Sequence, residues 1–388
     1  MPKKSNISKY YLYQFLTSLE FFGPVIVLFW LSHGLNMTQV MLLQSIYSLA
    51  IIILELPTGA LADYFGKRIS LIWGSFFWTV GFFVYSLSTN FWQFMVGELI
   101  LAIGTAFVSG ANTAFLHENL KARNQEKNFK KVEGNCQGII QVARVIGNAA
   151  GGAIASISLA TSIFVSGIAH FFGLIVTSTF EKTKEKLARE ENTEYLQLIK
   201  DSVKIIHRNP QILWLTIFYT FFNSIIFANN FLAQPYIKKV GVPIIYFGII
   251  FASFNIINGI ISAFTDKYAK LLGNKKLLGL VVIASTSLLL LGFVPILIIL
   301  PVWGILMGVM TMSRTLVSDQ VLKQVPSNRA STILSFQNLT RRIVYAALGP
   351  MIGFISDQWG IFWALRVSSI LFALTFLLLK WWRVKAVA

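Results

Sequence analysis

The chain has 388 residues and a formal net charge of +17; 55% of its residues are hydrophobic and only 13% are charged. Soluble proteins are typically about 45–50% apolar, so this composition argues against a soluble multi-domain protein. The single cysteine, Cys136, excludes a disulfide framework and any cysteine-based metal cluster.

Apolar stretches of about 20 residues, the length that crosses about 30 Å of hydrocarbon as a helix, recur along the whole chain. They predict an all-α membrane protein with twelve transmembrane helices. In chain order these spans 1 to 12 are residues 10–32, 39–62, 69–88, 91–116, 133–158, 161–180, 211–233, 243–265, 276–295, 297–320, 329–355 and 360–381.

The positive charges indicate which side of the membrane each loop faces. With the N-terminus in the cytoplasm, 26 of the 33 Lys and Arg residues fall in inner segments. The outer loops hold only Lys238 and Lys239, and five arginines lie inside spans. Because cytoplasmic loops carry an excess of Lys and Arg, both termini are predicted to be cytoplasmic. The positive charge therefore reports topology, and no nucleic-acid partner is expected.

One long polar segment, residues 181–210, interrupts the series of spans. It separates a predicted N-terminal six-helix bundle, residues 1–180, from a C-terminal six-helix bundle, residues 211–388. Within the segment, apolar residues recur at helical spacing, namely Tyr195, Leu198, Ile199, Val203 and Ile206. This pattern is typical of an amphipathic helix on the cytoplasmic surface, and a solvated linker is the alternative interpretation.

The two halves repeat several features at a nearly constant offset. Asp63 and Asp266 are 203 residues apart, and Glu20 in span 1 has its counterpart in Asn223 of span 7. Gly-Asn-Ala-Ala-Gly-Gly at 147–152 corresponds to Gly-Pro-Met-Ile-Gly at 349–353. The repeat predicts two bundles related by an axis along the membrane normal, with a substrate site near the midplane.

The loop between spans 2 and 3 reads Gly-Ala-Leu-Ala-Asp-Tyr-Phe-Gly-Lys-Arg at residues 59–68. It resembles the G-x-L-a-D-r-x-G-r-k signature of the major facilitator superfamily, with Tyr64 in place of a basic residue. The matching positions are Gly59, Leu61, Asp63, Gly66, Lys67 and Arg68. Residues 55–59, 109–116 and 326–332 are similar to a prokaryotic branch of that superfamily often labelled multidrug or efflux.

The resemblance implies a gate at this loop. In the superfamily the loop latches the outward-facing state, which would make Asp63 and Arg68 gating residues, with Asp266 as the counterpart in the second half. We expect Gly59 to allow a close helix approach and Gly66 to allow a tight turn. The alternative interpretation is a topology-setting turn with basic flanks.

The stretch 147–152 is similar to the superfamily's G-P-x-x-G-G antiporter signature, with Asn148 at the proline position. Small residues four apart let helices approach closely in lipid. We therefore expect helix packing at the glycines and the proline of spans 5 and 11, which are Gly147, Gly151, Gly152, Gly349, Pro350 and Gly353. An antiport-specific role is the alternative.

Charged side chains inside spans are costly and are functional candidates by default. The superfamily places spans 1, 4, 7 and 10 around the cavity, with spans 2, 5, 8 and 11 beside them. The resulting cavity candidates are Glu20, Arg144, Asn223, Arg341 and Arg342. Structural ion pairs that neutralise buried charge are the alternative. Glu98 in span 4 and Glu20 are the candidate proton carriers, and for Glu98 the alternative is a solvated residue near the outer surface.

The leading hypothesis is a secondary active transporter that works by alternating access and exports an amphipathic compound or drug in exchange for protons. Uptake or facilitated transport of a polar, anionic metabolite is the alternative within transport, and a non-transporting membrane sensor is the alternative outside it. The sequence contains no P-loop and no His-Glu-x-x-His motif, so neither an ATP-driven pump nor an enzyme is expected.

The expected partners are a small-molecule substrate and the lipid bilayer. A proton or other ion gradient is expected to supply the energy, with no cofactor and no metal site. We expect a monomer that lies, as a multi-pass protein, in the cytoplasmic (inner) membrane of a prokaryote.

Overall fold

The computed structural model describes residues 6–182, 204–325 and 327–387. Within these ranges the chain forms α-helices joined by turns and short 3-10 segments, and no strand occurs there. The α-helices are α1 (Asn6–Thr17), α2 (Ile26–Ser32), α3 (Met37–Phe65), α4 (Lys67–Leu87), α5 (Phe91–Lys121), α6 (Phe129–Ile157), α7 (Leu159–Ser178), α8 (Pro210–Asn230), α9 (Ala233–Lys239), α10 (Phe247–Ala263), α11 (Thr265–Leu272), α12 (Lys276–Phe293), α13 (Pro301–Leu322), α14 (Ser327–Trp359) and α15 (Ile361–Val387).

The predicted all-α membrane fold is confirmed. In the described part of the chain, nine helices are long and apolar enough to cross a membrane, and they coincide with spans 2 to 10. Span 11 corresponds to α14, and span 12 corresponds to α15. Span 1 differs from the prediction, because it is divided between α1 and α2.

Polar side chains begin several of these helices. The Asn90 side chain accepts hydrogen bonds from the backbone N–H groups of Trp92 and Gln93 at the start of α5. Ser158 accepts from the N–H of Thr161 at the start of α7. These bonds satisfy amide groups that have no partner in the first turn, so consecutive spans can be joined by very short turns.

The chain forms two compact units. Unit 1 comprises Met1–Leu35, Ile46–Glu190 and Pro243–Ala252, and unit 2 comprises Asn36–Ser45, Glu191–Val242 and Ser253–Ala388. Compared with the predicted bundles, the beginning of α3 is grouped with unit 2. The beginning of α10 is likewise grouped with unit 1.

Each unit has its own buried aromatic packing. In unit 1 the Phe115 ring stacks on Phe180 with a centroid distance of 4.7 Å. In unit 2 the Phe218 ring stacks between Trp214 and Phe222 along α8, which packs against α13, α14 and α15. These rings fix the positions of the helices that carry the candidate site.

Most of the predicted amphipathic segment lies outside the described residues, including Tyr195, Leu198, Ile199 and Val203. Residues 204–208 are helical, and Ile206 is buried.

Candidate functional site

Span 1 is broken near its middle. Helix α1 ends at Thr17 and α2 begins at Ile26, and the residues between them form a series of turns. Glu20 lies in this break, and its backbone N–H bonds back to the Ser18 carbonyl at 3.0 Å. Non-helical backbone at membrane depth is tolerated only where it is buried in protein or lines a water-filled cavity. The break therefore marks a candidate site.

Two glycines of α6 make room for the break. A Cβ at Gly147 would lie 2.6 Å from the Glu20 amide nitrogen, and a Cβ at Gly151 would collide with the Phe21 carbonyl oxygen. On the α7 side, the backbone N–H of Phe22 donates to Ser166 Oγ at 3.2 Å. In the structure, these glycines of the antiporter-like stretch thus pack against the non-helical segment of span 1.

Glu20 and Arg144 form an ion pair inside unit 1. Arg144 Nε donates to Glu20 Oε1 at 3.0 Å, and the two side chains are 40% and 31% exposed, respectively. The sequence identified both residues as cavity candidates, and the structure brings them together. Because both side chains remain partly exposed, the pair is not sealed inside the unit.

Asn148 adds a polar group to the same place. Its side chain is buried, and its Oδ1 has no hydrogen-bond partner among the described residues. This oxygen lies against Gly23, where an added Cβ would approach it to 2.5 Å. The sequence identified Asn148 only as a departure from the proline of the antiporter signature.

Glu98 is enclosed by unit 1. It is 4% exposed, and the Tyr85 hydroxyl donates to its Oε1 at 2.9 Å. The interpretation of Glu98 as a solvated residue near the outer surface is therefore wrong. In the described part of the chain, no group of three or more His, Cys, Asp or Glu side chains is placed to hold a metal ion.

Asn223 joins two helices of unit 2. It is fully buried on α8, where its Nδ2 donates to the Tyr219 carbonyl at 2.9 Å. Ser313 Oγ of α13 donates to its Oδ1 at 3.1 Å. Its counterpart in the first half, Glu20, lies in a break and forms an ion pair. The two residues therefore occupy corresponding positions in the two halves but form different kinds of interaction.

Arg341 and Arg342 are consecutive residues in the middle of α14. The Arg341 guanidinium carbon lies 5.3 Å from the centroid of the Phe227 ring on α8. Its Nε is buried and has no acceptor among the described residues. Within that part of the chain neither arginine forms an ion pair with a carboxylate. The alternative that the charged cavity candidates form structural ion pairs therefore does not hold for Arg341 and Arg342 within the described residues.

The loop at 59–68 ends in a turn that requires glycine. Gly66 has φ +94° at the start of α4, a conformation that other residues rarely adopt. Asp63 pairs with Lys67 one turn further on, and Arg68 Nη2 donates to the Ser178 carbonyl at the end of α7, at 3.0 Å. A Cβ at Gly59 would meet no atom of the described residues within 4 Å, so within that part of the chain this glycine does not make the close helix approach that we expected.

The corresponding loop of the second half contains the extra helix α11. Asp266 lies in its first turn, where an acid is favoured by the helix dipole. The Tyr268 hydroxyl donates to the Lys276 carbonyl at 2.8 Å. Burial raises the pKa of Tyr268 to about 12, so this hydroxyl stays a neutral donor at physiological pH.

Glycines near the C-terminal ends of α6 and α14 contact the beginnings of two other helices. In unit 1, a Cβ at Gly152 would collide with the Gly248 backbone in α10. In unit 2, a Cβ at Gly353 would lie 2.7 Å from the Met37 carbonyl oxygen in α3. The first contact joins spans 5 and 8, and the second joins spans 11 and 2, which are the equivalent pairs of spans in the repeated halves.

Helix α14 also contains Gly349 and Pro350, for which helix packing was predicted, and Asp357. A Cβ at Gly349 would lie 3.1 Å from the Tyr345 ring, and Pro350 lies inside the continuous helix. Asp357, one turn after Gly353, accepts a hydrogen bond from the Met37 N–H at 2.8 Å. No motif in the sequence pointed to Asp357.

The family description that matches residues 11–348 is the Major Facilitator Superfamily. The chain belongs to the Major Facilitator Superfamily. It is therefore a multi-pass membrane transporter, which confirms the predicted family and the predicted class of function. The sensor alternative gains no support from this match.

The chain is similar to other transporters, to some over most of its length and to others over a part of it. The MFS-type transporter YxaM of Bacillus subtilis (strain 168) is 22% identical over 360 residues, which cover 89% of this chain and 87% of that protein. A probable L-galactonate transporter of Escherichia coli (strain K12) is 33% identical over 98 residues, or 25% of this chain and 22% of that protein. The solved structure of the nucleoside transporter NupG has a TM-score of 0.73 at 14% identity and covers 97% of both chains. That structural likeness shows a shared fold.

Proposed function

We propose that this superfamily member is a secondary active transporter that exports a small, amphipathic organic solute in exchange for protons by alternating access. The observation that carries the proposal is the break in span 1, where Glu20 lies beside Arg144 in a non-helical segment. Discontinuous membrane helices bring backbone groups and charges to the substrate and ion sites of transporters.

Glu20 is the proposed proton carrier. Its side chain is 31% exposed, whereas Glu98 is 4% exposed and hydrogen-bonded, so Glu20 is the acid that can exchange a proton with water. Protonation would remove the carboxylate charge and weaken the bond to Arg144, and deprotonation would restore it. The same site would thereby alternate between two charge states, as an exchange of solute for protons requires.

Export is favoured by the similarity of residues 55–59, 109–116 and 326–332 to the branch often labelled multidrug or efflux. The second candidate is uptake or facilitated passage of a polar, anionic metabolite. Arg341 and Arg342 favour it, since neither is ion-paired with a carboxylate in the described ranges, and so does the similarity to a probable L-galactonate transporter.

We further propose that the loop at 59–68 acts as a cytoplasmic gate, with Asp266 in its counterpart. Asp63 bonds to Lys67, and Arg68 bonds to the carbonyl at the end of α7. Such contacts near the surface contribute little free energy, so they can be broken and replaced by others during a transport cycle.

The protein is proposed to work as a monomer in the cytoplasmic membrane of a prokaryote. An ion gradient takes the place of a cofactor, the partner is a small molecule and not a nucleic acid, and no covalent reaction is catalysed.

The test is flux through purified protein in proteoliposomes, measured for lipophilic cations, organic anions and amino acids. An imposed pH gradient should drive accumulation of at least one compound, and a dye inside the vesicles should report a matching pH change. Protein-free vesicles and a protonophore are the controls. Downhill flux without a pH change would replace exchange by facilitated passage, and no flux of any compound would contradict the transport proposal.

A further inference from the structure

The spans of unit 2 carry positive charges without acids to balance them. The acids among the described residues of unit 2 are Asp266, Asp319 and Asp357, each in the first or last turn of a helix. Asp319 is bonded to Lys323 at 2.7 Å. The arginines inside the spans of this unit are Arg314, Arg341, Arg342 and Arg366.

One of these arginines, Arg366, has a hydrogen-bond acceptor and two aromatic rings as partners. Its Nε donates to the Gly292 carbonyl at 3.0 Å, and its guanidinium carbon lies 4.1 Å from the Phe293 ring and 4.9 Å from the Trp363 ring. Such contacts stabilise a guanidinium within a bundle without any carboxylate. Arg366 therefore shows what a purely structural arginine looks like in this unit.

Arg341 has fewer such partners among the described residues. It contacts the face of Phe227, but its buried Nε has no acceptor among the described residues. The side chains close enough to act on its charge are Arg314, Arg342, Tyr219 and Tyr345. A half-buried arginine whose buried Nε donor is unused, and which is repelled by two further arginines, is costly inside a membrane protein and is a functional feature by default.

The surroundings of Arg341 indicate which chemical group of a ligand could bind its guanidinium. Arg341 and its charged neighbours come from α13 and α14, and Phe227 comes from α8; these are spans 10, 11 and 7, which the superfamily places at the cavity. Phe227 and Phe231 form a partly buried aromatic pair beside Tyr345, with centroid distances of 5.5 Å to each other and 4.7 Å from Phe227 to Tyr345. A planar guanidinium fork matches the geometry of a carboxylate or a phosphate, and the rings offer an apolar surface beside it.

We propose that the solute carried by this protein bears an anionic group, a carboxylate or a phosphate, that binds to the guanidinium of Arg341, with Arg314 and Arg342 adding electrostatic attraction. The inference rests on the proposed transport function and specifies its substrate class. It applies equally to an amphipathic anion that is exported and to a polar anion that is taken up.

The experiment compares matched anionic and neutral compounds on the purified full-length protein. The pairs are gluconate and glucose, benzoate and benzyl alcohol, and uridine monophosphate and uridine, so that the first two test a carboxylate and the third a phosphate. Binding is measured by the ligand-dependent shift in thermal unfolding, and flux by counterflow in proteoliposomes. The variants are Arg341→Gln, Arg341→Lys and, as the matched control, Arg366→Gln; size-exclusion chromatography checks that each is folded.

We expect the wild type to bind the anion of at least one pair more tightly than its neutral partner. Arg341→Gln should weaken that binding at least about tenfold, Arg341→Lys should retain part of it, and Arg366→Gln should leave it unchanged even where unfolding occurs at a lower temperature. Equal binding of anions and neutral partners, or anion binding that survives in Arg341→Gln, would overturn the inference. Flux of a neutral compound alone would overturn it while transport stands, whereas no binding and no flux of any compound would remove the transport proposal as well.

Discussion

Asp357 caps the N-terminus of α3 by accepting hydrogen bonds from Thr38. Its Oδ2 accepts hydrogen bonds from the Thr38 N–H at 2.8 Å and from Thr38 Oγ1 at 2.5 Å, and its Oδ1 accepts from the Met37 N–H at 2.8 Å. One carboxylate thereby satisfies two free amide groups at the start of α3 and places a negative charge at the positive end of that helix. In the predicted topology the contact lies at the outer side of the membrane.

Replacing this carboxylate should destabilise the protein. We expect Asp357→Ala to lower the free energy of unfolding by about 1 kcal/mol, the usual effect of losing a helix cap. Thermal unfolding of the purified protein measures the change. Glu126→Ala is the control, because Glu126 is an exposed acid outside the long helices. Equal unfolding temperatures for the two variants would contradict the capping role.

A methyl group at Gly151 should displace the break in span 1. The atom it would meet is the Phe21 carbonyl oxygen, which cannot swing aside as a flexible side chain would. We expect Gly151→Ala to cost about 1–3 kcal/mol of stability, as overpacking does, and to reduce flux. Gly138→Ala, in the same helix but with no atom within 4 Å of the new Cβ, should be neutral or stabilising. A Gly151→Ala protein that is as stable and active as Gly138→Ala would show that the break does not depend on this contact.

The two glycines of the loop at 59–68 should respond differently to alanine. Gly66 has φ +94° and ψ 150°, a region almost confined to glycine, so Gly66→Ala should cost about 1–3 kcal/mol. Gly59→Ala meets no atom within 4 Å and should unfold like the wild type. Thermal unfolding separates the two outcomes. If Gly59→Ala keeps its stability but loses flux, the glycine serves a step of the transport cycle.

The hydroxyl of Tyr85 should stabilise the buried Glu98. Removing the donor leaves a buried carboxylate oxygen with one hydrogen bond fewer, so we expect Tyr85→Phe to cost about 1–3 kcal/mol. Tyr64→Phe, at a side chain that is 69% exposed, provides the control. Unfolding curves that superpose for the two variants would show that the Tyr85 hydroxyl contributes nothing to stability.

The helical spans were predictable because the length of an apolar stretch reports directly on crossing a bilayer. The break in span 1 was not predicted, although Gly23 and Pro24 lie inside it and could have indicated it. Proline alone does not decide the matter, since Pro57 and Pro350 lie within the continuous helices α3 and α14. What distinguishes the break in span 1 is that Gly147 and Gly151 of α6 leave space for its non-helical backbone in unit 1.

Contacts between distant residues could not be predicted from the sequence. Asp357 and Met37 are separated by 320 positions, and only the packing of α14 against the start of α3 brings them together. For the same reason the sequence placed Arg144 and Arg341 in one class of charged residues inside spans. In the structure the two arginines have different partners, because Arg144 bonds to Glu20 and Arg341 lies against the Phe227 ring.

The central claim is that protonation of Glu20 couples solute movement to the proton gradient. The most direct measurement compares pH-driven accumulation with counterflow in proteoliposomes that contain Glu20→Gln, with Glu133→Gln, a partly exposed acid of the same unit, as the matched control. Counterflow needs no net proton movement, so the account predicts that Glu20→Gln retains counterflow and loses accumulation, while Glu133→Gln retains both. Accumulation that remains at the wild-type level in Glu20→Gln would contradict the account.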